Sequence, residues 1–379
     1  MTVMVDGNCS KFGKLQGDIM EIASLSALPI VKKFRESIDM VIVSSSYSGE
    51  INNITGVNNR LTTSLSLDDI PSIRIENTSA GGSSAIFAAD SFIRAGKANS
   101  ILVVGVERMT SLPTREVAGI IASLLPEEER MAGITLPSLG SFLAARYMEK
   151  YGTKRESIAN VAVKNHHNGS LNPTAHFRYD VSIEDVMNSK IISDPLRLYE
   201  FCPISDGSAS VLLMKDDLAD SFSEKSMKLI DAEIASTTSS ILERADILSL
   251  ESVKRASQIL FKKTGMEARD VDLAELHDMS SILEIVESEA IGFFENGTGG
   301  IAVDEGITSI EGELPINTSG GLISHGHPVG ATGVAQTVEI FLQLTGRAGK
   351  RQVKGPEYGL TLNMSGFGNE ACTTLWSVR

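Results

Sequence analysis

The sequence predicts an α/β fold in which one layered unit is duplicated. Three observations carry this expectation. Apolar runs of strand length alternate with segments of helical period. The 379 residues are more than one ordinary core needs. Finally, the run NTSAGG at Asn77–Gly82 recurs as NTSGG at Asn317–Gly321, each time after a strand-like segment and before a helical one.

The elements follow in order. Asp39–Ser46, Ile101–Glu107, Ala209–Met214, Val271–Leu276 and Tyr358–Met364 read as buried strands, because their apolar residues are nearly continuous. Asp18–Glu36, Ser83–Ala95, Ser138–Lys150, Arg155–Asn168, Ser280–Phe294 and Val329–Leu344 place apolar residues three and four apart and read as helices. The stretch from Ser111 to Arg197 is richer in helix, proline and polar residues. It reads as an insertion within a first half covering residues 1–218. The polar run Ala219–Lys228 is the expected linker, and residues 219–379 form the second half.

Composition excludes several classes. A net charge of −14 disfavours a nucleic-acid partner. An anionic small ligand would need a local basic site or a helix N-terminus. Cys9, Cys202 and Cys372 form neither a CxxC pair nor a metal-ligand spacing, which points to a reducing cytoplasm and to no metal. No apolar run is long enough to span a bilayer, and no signal peptide is expected.

Three segments carry candidate chemistry. In IENTSAGGSSAIFAAD a strand ends, a turn of small residues follows and a helix begins, with Ser79 at the tip. A nucleophile there would gain from the helix N-terminus; a helix cap is the plainer reading. In GGLISHGHPVGATG, His327 stands between Gly326 and Pro328 and reads as a general base; His325 and His327 as a metal pair lack a third ligand. His277 and Asp278 follow the strand Val271–Leu276, where ligands bind in open α/β sheets. The alternative there is a helix cap by Asp278 beside a bystander histidine. LNMSGFGNEA reads as a strand, a glycine-bearing turn and another strand. It is either a plain hairpin or a wall supplying N–H groups. The adjacent His166 and His167 point apart on a helix.

Together these segments resemble the thiolase superfamily, in particular archaeal acetyl-CoA acetyltransferases and sterol-carrier-type thiolases. The likeness runs through ILVVGVERMT, VKNHHNGSLNP, DPLRL, PISDGSAS, the HD pair at His277, GHPVGATG and the terminal Asn363 turn, and so covers nearly the whole chain. It implies a duplicated five-layer α-β-α-β-α thiolase fold that binds acyl-CoA and needs no cofactor beyond CoA thioesters. The implied reaction is acetyl-CoA C-acetyltransferase chemistry, the synthesis or thiolysis of acetoacetyl-CoA. The implied catalytic residues are Ser79, His327 and His277. Asn363, Ser365 and Gly366 would form the oxyanion or active-site wall, and His167, Arg178, Ser319 and Gly320 would contact substrate. Ser79 and Ser319 would open equivalent helices in the two halves. The resemblance further suggests a homodimer or homotetramer, working beside a 3-hydroxy-3-methylglutaryl-CoA synthase and an OB-fold acyl-CoA-binding protein.

The chain departs from that family where the chemistry is most demanding. Laying its E-x-x-C-A-x-G pattern on Glu76–Gly82 puts Ser79 at the cysteine position. Asn363 stands where many thiolases carry a second cysteine, and Met279 stands where the sterol-carrier branch has one after HD. None of Cys9, Cys202 and Cys372 aligns with these positions. A serine hydroxyl attacks only when a base removes its proton during the step, whereas a thiol is partly ionised near neutrality. Three explanations stay open: a serine nucleophile in a slower acyl transfer, a silent acyl-CoA-binding subunit of a complex, or a Cys→Ser replacement. The last explains Ser79 but not Thr78, Gly81, Asn363 or Met279. A serine hydrolase is disfavoured, because no GxSxG elbow is present.

Overall fold

The computed structural model describes residues 1–222 and 225–379. The first half runs β1 (Thr2–Cys9), α1 (Ile19–Phe34), β2 (Met40–Ser44), α2 (Val57–Ser64), β3 (Ser72–Ile75), α3 (Gly81–Arg94) and β4 (Ser100–Glu107). The inserted region follows as α4 (Thr114–Ala122), α5 (Glu127–Met131), α6 (Leu136–Tyr151), α7 (Arg155–Ser170), α8 (Ile183–Asn188) and the hairpin β5 (Ile191–Ser193) and β6 (Leu196–Arg197). The chain then returns as β7 (Gly207–Lys215) and α9 (Asp216–Ala219). The second half runs β8 (Met227–Ser236), α10 (Glu251–Thr264), β9 (Leu273–Glu275), α11 (Ser281–Ile291), α12 (Gly299–Asp304), α13 (Gly321–His325), α14 (Val329–Leu344), β10 (Tyr358–Ser365) and β11 (Glu370–Val378). Within the expected linker, Ser223 and Glu224 lie outside the described residues, and Met227 and Lys228 already belong to β8.

The strands lie in the order β3-β2-β4-β7-β1-β8-β11-β10-β9. The halves meet where Thr2–Met4 of β1 pair antiparallel with Met227–Leu229 of β8. On either side of that seam the pattern repeats. β2 and β4 are parallel, as are β9 and β10; β7 is antiparallel to β4, and β11 to β10. Ile316 bridges Ala274 in parallel, as β3 does β2.

Alternation along the strands explains the layers. Leu102, Val104 and Val106 of β4 turn to one side, with α1. Ile101 and Val103 turn to the other, into a core shared by α3, α14 and Trp376. Leu360, Leu362 and Met364 of β10 face a third core with α10 and α11. The sequence of layers is therefore helix, sheet, the α3–α14 pair, sheet, helix, which is the expected duplicated five-layer fold.

The NTSGG segment follows the Ile316 bridge, as NTSAGG follows β3. By topology, however, the counterpart of α3 is α14, which like α3 leads into a central strand. The short α13 and the GHP turn are interposed between Ser319 and that helix. Among the described residues no helix is long and apolar enough to cross a membrane.

Candidate functional site

The turn between β3 and α3 is pinned on three sides. Thr78 has φ 40°, a left-handed conformation that costs energy in a β-branched residue. The Thr78 N–H donates to Glu76 Oε1 at 2.6 Å, and its carbonyl accepts from Ser46 Oγ at 3.0 Å. Its hydroxyl meets Ser365 Oγ at 2.6 Å. Ser79 sits in the resulting 3₁₀ turn ahead of α3. First-turn N–H groups have no intrahelical acceptor and face outward with the positive end of the helix dipole.

His327 arrives from the other half. A Cβ on Gly326, at φ 107°, would come within 2.7 Å of Ser205 Oγ, so the turn that delivers His327 requires glycine there. The ring lies with Nε2 3.2 Å from Ser79 Oγ and Nδ1 2.8 Å from Thr332 Oγ1. Thr332 spends its only hydroxyl proton on the Pro328 carbonyl at 3.1 Å. In that arrangement its oxygen accepts from Nδ1–H, the tautomer that leaves the Nε2 lone pair facing the serine. Burial pushes the His327 imidazole down to about 4, so at neutral pH it is an unprotonated base.

His277 stands edge-on to His327, with ring centroids 5.1 Å apart. It is fully buried, and neither ring nitrogen has a hydrogen-bond partner among the described residues. Burial first, then the neighbouring His327, holds it well below its usual range. Its backbone N–H donates to Glu287 Oε2 at 2.7 Å. Asp278 caps no part of α11. Its carboxylate accepts from Leu322 N–H and from Asn165 Nδ2, each at 2.7 Å, and ties the head of α13 to the inserted region.

A cavity of about 450 Å³ opens onto Ser79 and His327. Its wall is mostly apolar, with Met109, Ile121, Leu136, Phe201 and Ile204, and also includes Met279, Ser280, Cys202 and Gly366. Cys202 thus shares the cavity with Ser79. Burial and then Asp278 raise its thiol to about 12, so it remains protonated at neutral pH.

The other expected site residues are more scattered. Asn363 is fully buried: it accepts from Ser83 Oγ at 2.9 Å and donates to Gln336, between α3 and α14. Ser365 meets Thr78, and Gly366 lines the cavity. Ser319 is also buried, and its hydroxyl donates to Glu275 Oε2 at 2.5 Å. Gly320 lets the chain pass against Gly169, where a Cβ would come within 2.7 Å. His167 is exposed and paired with Asp180 at 3.0 Å, and Arg178 is exposed. Neither lines the cavity; of the histidine pair, His166 is the buried member, stacked on Phe177.

Two residues that shape the site had gone unremarked. Glu107 accepts from Ser46 N–H, Tyr47 N–H, Gly330 N–H and Ser45 Oγ at 2.8–3.1 Å, fastening the loop after β2 to the start of α14. An acid closing the otherwise apolar run ILVVGVE was its signal, since glutamate is seldom buried without partners. The other is Thr332, a polar residue one turn beyond the histidine.

A serine–histidine pair at a helix N-terminus beside an apolar cavity is an arrangement suited to acyl-transfer chemistry. Comparison makes the class specific. Residues 3–217 match the family description "Thiolase, N-terminal domain", and residues 234–378 match "Thiolase C-terminal domain-like". The chain is 37% identical over 374 residues to an acetyl-CoA acetyltransferase of Methanothermobacter thermautotrophicus, covering 97% of each. It is 34% identical over 331 residues to human sterol carrier protein 2, covering 83% of this chain and 60% of that protein. Among solved structures, the Ltp2-ChsH2(DUF35) aldolase is similar with a TM-score of 0.84 at 19% identity, over 100% of this chain and 97% of that one. Human mitochondrial 3-ketoacyl-CoA thiolase is similar with a TM-score of 0.77 at 15% identity, over 100% and 99%. The chain belongs to the thiolase family.

Proposed function

We propose that this protein transfers acyl groups from CoA thioesters through Ser79, as an acetyl-CoA C-acetyltransferase-like enzyme with a serine nucleophile. The observation that carries the reading is the 3.2 Å contact between Ser79 Oγ and His327 Nε2, with Nδ1 committed to Thr332. Ser79 Oγ attacks the thioester carbonyl as His327 takes its proton. The carbon–sulfur bond then breaks, and the histidine returns that proton to the leaving CoA sulfur. The Ser79 N–H and an N–H of the Ser365–Gly366 turn would hold the oxyanion. His277, whose two ring nitrogens have no partner among the described residues, is suited to the thioester oxygen of a second acyl-CoA. The same reading expects a cytoplasmic homodimer or homotetramer that takes up CoA beside the inserted region.

Condensation and thiolysis should be slow. Met279 offers no proton, Cys202 stays a thiol and Asn363 is spent on Ser83 and Gln336. This favours a second reading, a thiolase-like acyl-CoA-binding subunit of a complex. The similarity to the Ltp2-ChsH2(DUF35) aldolase, which is a two-component assembly by name, supports it. A small acyl-CoA-binding partner and a 3-hydroxy-3-methylglutaryl-CoA synthase belong to the same proposal.

Intact-protein mass spectrometry after incubation with acetyl-CoA decides between the two. The first reading expects an acetyl mass increase that Ser79→Ala abolishes and Ser79→Cys accelerates. No adduct on either the wild type or Ser79→Cys would leave the silent subunit.

A further inference from the structure

Ser280 is the N-cap residue of α11, yet its side chain caps nothing. Its Oγ has no hydrogen-bond partner among the described residues, although the residue is only 2% exposed. Buried hydroxyls almost always find partners. The residue lines the cavity that opens onto Ser79. Space has been left for it: a Cβ on Gly140 of α6 would come within 2.9 Å of Oγ.

Its place along the cavity is fixed by the backbone. Ser280 follows the His277 loop by three residues, which keeps it within roughly 10 Å of His277 along the chain. It bridges Phe201, and the Cys202 N–H donates to the Met279 carbonyl at 3.1 Å. Ser280 therefore shares one cavity wall with Phe201, Cys202 and Met279, in the cavity that Ser79 and His327 also line.

We propose that Ser280 is a specificity residue that hydrogen-bonds an oxygen carried on the acyl chain of the CoA thioester, so that oxygenated acyl groups bind in preference to plain hydrocarbon ones. This rests on the acyl-CoA reading of the cavity but not on Ser79 acting as a nucleophile. A mostly apolar wall with this unpartnered hydroxyl accepts a hydrocarbon chain but leaves the hydroxyl unsatisfied; a chain bearing a hydroxyl or carbonyl at that point satisfies it.

The test is calorimetric binding to full-length Ser79→Ala protein, in which acylation is blocked. The probes are CoA, butyryl-CoA and 3-hydroxybutyryl-CoA. The hydroxylated thioester should bind about fivefold to tenfold more tightly than butyryl-CoA, the effect of one neutral hydrogen bond. Adding Ser280→Ala should erase that preference and leave affinity for CoA unchanged. Adding Gly140→Ala, which crowds the hydroxyl, should reduce the preference in the same direction. A preference that survives Ser280→Ala, equal binding of the two thioesters before it, or an equal loss for CoA itself would overturn the proposal, the last by assigning the hydroxyl to the pantetheine arm. Because no acyl-enzyme is needed, the outcome is separate from whether Ser79 acylates.

Discussion

At the scale of single residues, the site depends on one proton being in the right place. Thr332 decides which nitrogen of His327 carries it, because its own hydroxyl proton is committed to Pro328. Thr332→Val keeps the shape but removes the acceptor, so the ring is free to place its proton on Nε2, facing Ser79. Acylation of Ser79 should fall by about 10²-fold, the lower end of what general-base assistance contributes. Thr332→Ser should retain most of the rate. The pH profile of acylation gives a second readout. His327 titrates near 4 where an ordinary histidine titrates near 6.5. Its neutral form therefore dominates down to mildly acidic pH, and the rate should fall only as pH drops through about 4. A rate that titrates near 6.5 would mean that the base is solvated and is not this histidine.

At the scale of elements, α3 and α14 pack backbone against backbone. A Cβ on Gly333 would come within 2.0 Å of Asn363 Oδ1 and 2.5 Å of Ser83 N. Gly333→Ala must push the two helices apart, and overpacking of this kind costs roughly 1–3 kcal/mol. Gly119, in α4, has open space where a Cβ would go. Gly119→Ala should therefore stabilise by roughly 0.5–1 kcal/mol through helix propensity. Denaturant midpoints moving in opposite directions would confirm the contrast; similar shifts would refute close packing as the cause. Legibility in the sequence followed the same physics. Strands buried on both faces, such as β4 and β10, stood out as apolar runs. β1 did not, because Asp6, Gly7 and Asn8 interrupt it around a register shift between Met4 and Asp6. β8 was obscured because Lys228, Asp231 and Glu233 give it a polar face, and its start reads as linker. The glycine and histidine motifs marked Ser79 and His327 because their spacing is unusual. Which of them shared a cavity with Cys202 or Ser280 depended on contacts across the inserted region, which no local pattern encodes. The NTSGG repeat marked a shared strand end, whereas α13 and the GHP turn displaced the matching helix from Ser319.

At the scale of the whole molecule, a buried charge network ties the second half to the inserted region. Arg351 is 5% exposed and pairs with Glu339 through Nη2 at 2.7 Å and Nε at 3.1 Å. Its Nη1 reaches the Leu171 carbonyl, just after α7, at 3.4 Å. Thr318 Oγ1 lies between Glu339 and Glu275, at 3.1 and 3.2 Å. Burial first, and then the negative Glu339, raises the Glu275 carboxyl to about 8. A carboxyl raised in the folded state binds its proton more tightly there than in the unfolded chain. Its stabilising contribution is thus complete below the ordinary glutamate range and is lost as pH rises through about 8. Arg351→Met removes the cation that offsets Glu339 and leaves two buried acids facing each other. We expect it to cost roughly 3–5 kcal/mol near pH 8, as when one partner of a buried ion pair is removed. The cost should shrink toward pH 5, where Glu275 carries its proton and no longer opposes Glu339. Pairing it with Glu339→Met should recover much of the loss at pH 8, because no uncompensated charge remains. Urea unfolding of the single and double variants at the two pH values is the measurement. An Arg351→Met penalty that is independent of pH, or one that Glu339→Met deepens, would show that the arginine acts by packing and not by balancing these carboxylates.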